Sequence, residues 1–293
     1  MIARTTDGLI AANIRDGRKR MRQGLRGICV GLAVCLLACS AAMAQPVTNL
    51  LGRILMVESQ FGRGTIFMLD VDRREYWITA KHLLNGATDP HHVGTIKEHE
   101  AVLRMLNPAG QGEEWITARF AVIDPGEDVD IAVLAPSEPL LRTQIDTVRT
   151  GAATLGAGCG FLGFPYGAAY RAKYKQHGTI WLPFVKRCSV AAMIDEPRKV
   201  WVLEGINSKG FSGGPVFTGT SSGLTLFGVV SYFATEPLDV LPENPAVKPG
   251  PDQFNQRGNG NPGFFVAYNI QYAVDAIQRN PVGALRENRR YER

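Results

Sequence analysis

The sequence predicts an all-β protein built as two packed antiparallel barrels or sandwiches, followed by one C-terminal helix. Beyond residue 45 the chain consists of short apolar runs rich in Val, Ile, Phe, Tyr and Trp, a composition typical of strands. Gly, Pro, Asn or Asp separates most of these runs, as turns require. About a dozen strands suit two packed units better than one.

Twelve runs predict strands, each bounded by turn residues. In chain order they are residues 53–59, 64–71, 75–80, 101–106, 116–123, 130–136, 158–164, 186–194, 199–205, 214–219, 224–234 and 263–270. The one convincing helix comes last, over residues 269–280, and stops before Pro281. Its apolar positions at helical spacing are Ile270, Ala273, Val274 and Ile277.

The first 44 residues are typical of a secretory signal. A basic segment at 15–26 precedes an uncharged apolar run, which ends in the small residues Ala42-Met43-Ala44. We therefore expect cleavage after Ala44, a secreted or periplasmic chain, and no membrane span in the mature form. Three alternatives stay open: an uncleaved membrane anchor, a lipid anchor at Cys39, and a true start at Met21.

Removing this segment changes the charge balance. Residues 1–44 hold seven of the 32 Lys and Arg residues and two of the 27 Asp and Glu residues, so 25 of each sign remain. A mature chain without net charge offers no basic field for nucleic acid, and we expect no nucleic-acid partner. The oligomeric state stays open.

Cys159 and Cys188 are the two cysteines outside the signal segment. In an oxidising compartment they either pair as a disulfide or stay as two buried thiols. Neither CxxC spacing nor a nearby pair of histidines completes a metal site. We expect no metal and no organic cofactor.

Three parts are expected along the chain. A signal peptide at 1–44 precedes an N-terminal barrel at 45–140 and a C-terminal barrel at 141–293. The second barrel carries the final helix and a proline- and glycine-rich stretch at 235–263, which is expected to be a long surface loop.

A glycine-rich segment around Ser212, NSKGFSGGPVF at 207–217, favours a nucleophilic serine. A reacting hydroxyl needs room for a carbonyl substrate and two backbone N–H groups aimed at the developing oxyanion. Glycine permits such a tight turn and lets the substrate lie against the main chain. The same letters fit the G-x-S-x-G elbow of α/β-hydrolases, but that fold places its histidine after the serine. All histidines of this chain precede it: His82, His91, His92, His99 and His177.

His82 is the best candidate for a general base, because it follows a predicted strand and histidine takes and returns a proton near neutral pH. The other histidines lie in polar, loop-like segments. Asp130, at the start of a predicted apolar strand, is the best candidate for the carboxylate that orients the imidazole. Glu127 and Asp128 beside it are expected to be solvated loop charges.

Three stretches, ITAKH, DVDIAVL and GFSGGPVF, resemble the signatures of the chymotrypsin-like (trypsin-fold) serine peptidases. They occur in that family's order of His82, Asp130 and Ser212, over roughly residues 50–278. The resemblance implies two six-stranded antiparallel β-barrels of the trypsin-like fold. In style it is closest to bacterial stress-type members, although no PDZ-like module follows residue 280.

The resemblance also implies a serine endopeptidase acting on protein or peptide substrates. Ser212 would be the nucleophile, His82 the base and then the acid, and Asp130 the orienting group. The backbone N–H groups of Gly210 and Ser212 would form the oxyanion hole. Ser231 falls where the family has a serine bonded to the triad aspartate.

Substrate contacts are expected from Ile206, Ser231, Tyr232 and Phe233. Uncharged Ile206 at the base of the specificity pocket favours small or medium apolar side chains at the cleaved bond, and Phe233 would narrow the cleft. Phe211 replaces the acidic residue that digestive relatives pair with a freed N-terminus. Two alternatives stay open: a trypsin-fold binding protein without turnover, and an esterase using the same triad.

Overall fold

Six strands of the N-terminal half close into a barrel. They are β1 (Ile54–Ser59), β2 (Gly62–Val71), β3 (Arg74–Thr79), β4 (Glu100–Leu106), β5 (Trp115–Ile123) and β6 (Ala132–Pro136). All neighbours are antiparallel, in the order β3-β2-β1-β4-β5-β6, and β6 pairs back onto β3. Closure leaves this sheet without a free edge along the paired residues.

A second set of six strands closes in the same way. They are β8 (Gly158–Gly163), β11 (Phe184–Ile194), β12 (Val200–Glu204), β13 (Pro215–Thr220), β14 (Gly223–Phe233) and β17 (Phe264–Asn269). Their order is β13-β8-β11-β12-β17-β14, and β13 pairs with β14. The predicted fold class, two six-stranded antiparallel barrels of the trypsin-like fold, is confirmed.

This computed structural model describes residues 48–89, 92–108, 114–141, 148–174, 178–196, 198–220, 223–233, 236–239 and 257–286. The predicted signal at 1–44 lies outside the described residues, as do His91, His177 and most of the stretch at 235–263. Within that stretch, β15 (Glu236–Asp239) pairs with β16 (Arg257–Gly260).

Each barrel has an aromatic core, because large rings remove the most apolar surface from water. The first barrel buries Phe67, Tyr76, Trp77 and Phe120. The second buries Phe161, Phe211, Trp201, Phe227 and Phe265, with Phe161 at 4.9 Å from Phe211 and 4.7 Å from Phe265 between ring centroids.

Several short elements complete the fold. They are β7 (Arg149–Thr150), β9 (Tyr170–Tyr174), β10 (Gly178–Leu182), β18 (Ala284–Leu285), the one-turn helices α1 (Thr48–Leu51) and α2 (His82–Asn85), and a 3-10 turn at Pro165–Gly167. The predicted C-terminal helix is α3 (Gln271–Arg279), which buries its apolar face. Among the described residues, none of the helices has the length and hydrophobicity that crossing a bilayer requires.

β18 returns the chain from the second barrel to the first, where Ala284 pairs with Glu75 of β3. Glu75 is fully buried, and its carboxylate accepts hydrogen bonds from the Trp77 indole at 2.8 Å and the Leu140 amide at 2.9 Å. Burial raises the pKa of Glu75 in spite of these donors. One carboxylate thus ties the inter-barrel segment to the first barrel, beside the returning strand.

Cys159 and Cys188 face each other in register on β8 and β11 and form a disulfide, with their Cα atoms 4.8 Å apart. Of the two states that the sequence leaves open, the structure contains the bridged one.

Candidate active site

His82 begins the one-turn helix α2, shortly after β3 ends. Gly86 closes this turn at a φ of +71°, a left-handed conformation that glycine adopts without strain, and its N–H donates to the His82 carbonyl. The side chain of His82 keeps 25% of its surface exposed. The turn therefore presents an imidazole that solvent and a substrate can reach.

Asp130 contacts both the ring and the backbone of His82. The His82 Nδ1 atom lies 2.8 Å from Asp130 Oδ2, and the His82 backbone N–H donates to Oδ1 at 2.9 Å. Asp130 is almost fully buried, two residues before β6. A carboxylate in this position accepts the Nδ1 proton, which leaves Nε2 with a free lone pair in the neutral ring.

The same pair sets the basicity of the ring. Burial lowers the pKa of His82, but Coulombic attraction to Asp130 and the hydrogen bond to its carboxylate together outweigh that effect. The pKa of His82 is raised above its ordinary value of 6.5. A raised pKa makes the neutral imidazole a stronger proton acceptor.

Ser231 of β14 completes the surroundings of Asp130. Its hydroxyl donates to Asp130 Oδ2, the oxygen that His82 also contacts. Ser231 is buried, so both partners of this bond are shielded from water. The resemblance implies this contact for Ser231, and the part of Ser231 in an active site stays a prediction.

Ser212 lies in the loop between β12 and β13, on a backbone that only glycine permits at two neighbouring positions. Gly210 has a φ of +99°, and a side chain there would come within 2.2 Å of the Phe164 carbonyl oxygen. Gly213 has a φ of +82°, and a side chain there would meet the Thr65 carbonyl oxygen at 2.2 Å. Gly213 therefore allows a close approach to Thr65 of the first barrel, and Gly210 allows a close approach to Phe164, which follows β8 of the second.

The hydroxyl of Ser212 donates to the carbonyl oxygen of Ser231 at 3.1 Å. Across the described part of the chain, no hydrogen bond joins this hydroxyl to His82. Ser231 still connects the two groups, because its own hydroxyl contacts the carboxylate that holds the imidazole. The sequence predicts an imidazole bonded to both partners, and the structure contains the bond to Asp130.

The backbone N–H groups of Gly210 and Ser212 have no acceptor among the described residues. Each points away from the carbonyl of its own peptide unit, since a trans peptide sets the two groups on opposite sides. The Lys209 carbonyl accepts from the Tyr166 N–H at 2.8 Å, and the Phe211 carbonyl accepts from the Gly214 N–H at 2.8 Å. These two bonds orient the two free donors.

Thr65 of β2 joins this loop to the first barrel, and the sequence analysis did not identify it. Its hydroxyl donates to the Gly210 carbonyl at 2.7 Å and accepts from the Phe164 N–H at 3.2 Å, while its N–H donates to the Ser212 carbonyl at 2.8 Å. All three bonds cross from one barrel to the other. One buried threonine thus holds the peptide units around Ser212.

Lys81, directly before His82, is a second residue that the sequence analysis missed. Its side chain is fully buried, with the ammonium 2.6 Å from Asp124 Oδ1 and from the Gly126 carbonyl and 3.0 Å from the Gly94 carbonyl. The ammonium therefore secures the loop that leads to Asp130. A charged residue in an apolar run next to a histidine was the available signal.

The predicted substrate contacts have mixed surroundings. Ile206 is 67% exposed, unlike a residue at the base of a closed pocket, and its carbonyl accepts from Lys186 Nζ at 2.8 Å. Tyr232 is half-buried beside Ser231, and burial raises its pKa. The side chain of Phe233 lies outside the described residues. Substrate contact by these residues stays a prediction.

No known protein-family profile matches the sequence, and no curated protein matches it. Solved structures that match the chain include Rv3671c from M. tuberculosis H37Rv, a serine-to-alanine mutant in its inactive form, at 16% identity and a TM-score of 0.47 over 82% of this chain and 92% of that chain. A serine endoprotease from Yersinia pestis matches at 14% identity and a TM-score of 0.45, over 80% of this chain and 64% of that chain. The HtrA-type protease AlgW with a tripeptide matches at 12% identity and a TM-score of 0.46, over 80% of this chain and 62% of that chain.

Proposed function

We propose that this chain is an exported serine endopeptidase that hydrolyses peptide bonds through an acyl-enzyme. Ser212 is the nucleophile, His82 the general base and acid, and Asp130 the group that orients the imidazole. The backbone N–H groups of Gly210 and Ser212 form the oxyanion hole.

The first half-reaction transfers the acyl group to the serine. Ser212 Oγ turns from the Ser231 carbonyl toward His82, attacks the carbonyl carbon of the peptide bond, and gives its proton to His82 Nε2. The oxygen that becomes negative accepts hydrogen bonds from the two free N–H groups, which lower the barrier by about 3 kcal/mol per donor in comparable sites. The imidazolium then returns its proton to the leaving amine as the C–N bond breaks.

The second half-reaction repeats these steps with water. The oxygen of a water molecule attacks the acyl carbon while His82 Nε2 takes a proton from that water. The ester bond to Ser212 then breaks. The proton passes to Ser212 Oγ, and the carboxylic acid product leaves. Asp130 stays ionised throughout and stabilises the imidazolium by its charge.

The observation that carries this proposal is the continuity of one polar network. Asp130 Oδ2 contacts both His82 Nδ1 and the Ser231 hydroxyl, and the Ser231 carbonyl accepts from the Ser212 hydroxyl. The backbone N–H groups of Gly210 and Ser212, which have no acceptor among the described residues, lie in the same loop. An ion pair with a purely structural role would explain the contact between His82 and Asp130, but not the other members of the network. The free donors beside a glycine-rich serine are what a purely structural network does not require.

Fluorophosphonate labelling tests the nucleophile, because the probe needs an activated serine and an oxyanion site. The mature wild-type chain should be labelled, and Ser212→Ala should abolish labelling. Ser208→Ala, in the same loop, is the matched control and should be labelled like wild type. A folded wild-type chain that is not labelled would contradict the enzyme assignment. If the wild-type protein is labelled, release of peptides from casein would then separate a peptidase from an esterase.

An inert binding protein is the second candidate, and one observation favours it. The Ser212 hydroxyl bonds to the Ser231 carbonyl instead of His82, so the nucleophile is not primed in this conformation. Under this alternative the chain folds, binds peptides and resists the probe at every pH.

Export is supported by the disulfide, since bridged cysteines persist in oxidising compartments. The test is the N-terminal sequence of protein recovered from the periplasm or medium of the producing cell. It should begin at Gln45. A chain recovered from the membrane with residues 1–44 intact would favour the uncleaved anchor.

A further inference from the structure

Phe211, the residue before the proposed nucleophile, is fully buried in the core of the second barrel. Its ring meets Phe161 edge-to-face at 4.9 Å. Gly163 makes room for it, because a side chain at that position would come within 2.7 Å of the Phe211 ring. Apolar packing thus holds the Phe211 ring in the core of the second barrel.

Lys186 of β11 contacts both ends of the segment that leads to Ser212. Its ammonium lies 5.1 Å from the centroid of the Phe211 ring and donates to the Ile206 carbonyl at 2.8 Å. A cation at this distance from a ring face is attracted by the π electrons, and its hydrogen bond to a carbonyl is charge-assisted. Burial lowers the pKa of Lys186, although both groups that it faces favour the charged form.

The segment between these contacts carries the oxyanion donors. Gly210 and Ser212 flank Phe211, and their free N–H groups depend on how the peptide units at 209–212 are turned. These units are continuous with Ile206 and Phe211 along the backbone, so we expect a shift of either residue to change how they are turned. The ammonium is therefore placed to control the oxyanion hole without touching the substrate.

We propose that Lys186 is a positioning residue, which holds the 206–211 segment through the Phe211 ring and the Ile206 carbonyl so that the oxyanion donors stay aimed at the reacting oxygen. This inference rests on the proposed function. It assigns to the Lys186 ammonium the role of keeping the oxyanion donors in place in the folded chain.

Three variants of the mature chain test it. Lys186→Met keeps the length of the side chain and removes the charge, whereas Lys186→Arg keeps a cation that reaches a ring and a carbonyl. Lys173→Met, an exposed lysine on β9, is the matched control. Two measurements are made on each: the rate constant of fluorophosphonate labelling, and backbone amide hydrogen exchange in peptides covering 204–217.

Lys186→Met should slow labelling roughly threefold to tenfold, the size that a partly exposed cation–π contact and one hydrogen bond allow. Exchange should quicken within 206–214 and stay unchanged in both barrels. Lys186→Arg should recover most of the rate, and Lys173→Met should behave like wild type. A Lys186→Met chain labelled at the wild-type rate, with unchanged exchange, would overturn the inference and leave the proposed function intact.

Phe211→Leu removes the ring while keeping an apolar side chain, and it tests the same contact from the other side. In the Lys186→Met/Phe211→Leu double variant the two effects on labelling should not multiply, because each change removes the same interaction. Independent effects would overturn the ring contact. If the wild-type chain is not labelled at all, the proposed function fails, and local exchange in Lys186→Met still decides whether the ammonium holds the segment.

Discussion

The hydroxyl of Ser212 lies 3.1 Å from the carbonyl oxygen of Ser231, to which it donates a hydrogen bond. In the proposed reaction, Ser212 has to give up this bond and turn toward His82 before it attacks. A neutral hydrogen bond of this kind contributes about 0.5–1.5 kcal/mol net, so the cost is at most roughly tenfold in rate. The resting conformation therefore slows the site without preventing reaction.

Ser231→Ala should move the pH dependence of labelling to higher pH. The change keeps the carbonyl but removes the hydroxyl that donates to Asp130. A carboxylate with one donor fewer attracts the imidazolium more strongly, so the pKa of His82 rises further. The acid limb of the labelling rate should shift upward, with a fall of roughly threefold to tenfold at neutral pH. Ser189→Ala, bonded to exposed Glu204, is the control and should leave the limb unchanged.

Asp130→Asn should move the same limb in the opposite direction. Without the charge, burial dominates and the pKa of His82 falls, while the rate drops by about 10³- to 10⁴-fold because the ring loses its orientation. In the wild type, the raised pKa stabilises the fold at pH values below 6.5, and this contribution is lost as the pH rises through the raised value. Proton NMR of the imidazole and melting temperature against pH check both signs. An unmoved His82 titration in Asp130→Asn would contradict the assignment.

Thr65→Val should slow labelling by about tenfold or more and destabilise the fold by roughly 1–3 kcal/mol. The change preserves shape but leaves the Gly210 carbonyl and the Phe164 N–H buried without this partner. The peptide units around Ser212 then lose their link to the first barrel. Thr117→Val, at an exposed position on β5, should match wild type in both urea unfolding and labelling. Equal labelling of the two variants would exclude this role of Thr65.

Lys81→Met should lower the free energy of unfolding by about 2–3 kcal/mol. A fully buried pair broken on one side costs about 3–5 kcal/mol, and Asp124 keeps 20% of its side chain exposed, which reduces the cost. Adding Asp124→Asn should restore part of the loss, because the unpaired charge is then gone. Lys97→Met, an exposed lysine, is the control. Urea unfolding that is identical for Lys81→Met and the control would refute this prediction.

Replacing both Cys159 and Cys188 by serine should cost about 3–4 kcal/mol of unfolding free energy, given the 29-residue separation that the bridge closes. The wild type in reducing buffer should unfold at nearly the same denaturant concentration as the double serine variant. If reductant does not change the unfolding free energy of the wild type, the bridge does not form in solution.

All twelve strands of the two barrels were predictable, because each buries apolar side chains and is bounded by turn residues. Most of the elements that were not predicted are short or polar; β10 (Gly178–Leu182), with its apolar residues Ile180, Trp181 and Leu182, is the exception. β7 and β18 have two residues each, and β9 carries Arg171 and Lys173 in five residues. Such segments are strands because a neighbouring strand offers free backbone groups, and local sequence does not contain that information.

The residues of the candidate site also include some that local sequence predicts and some that it does not. His82 and Asp130 stand next to apolar strands, a local feature, and the structure pairs them. Thr65 looks like any β-branched strand residue, and its partner Gly210 lies 145 positions away. Lys186 likewise gives no local sign of the ring that it covers. Side chains that position other groups show their role through contacts between distant segments, so sequence patterns alone do not identify them.

The return of β18 to β3 has a consequence for how the chain matures. Arg74 donates to the Gly283 carbonyl across 209 residues, and Arg286 donates to the Arg73 carbonyl in the same region. Contacts of such separation form late, because the loop that they close is long. If the chain is exported as proposed, β18 can pair with β3 only after the chain has emerged as far as residue 285.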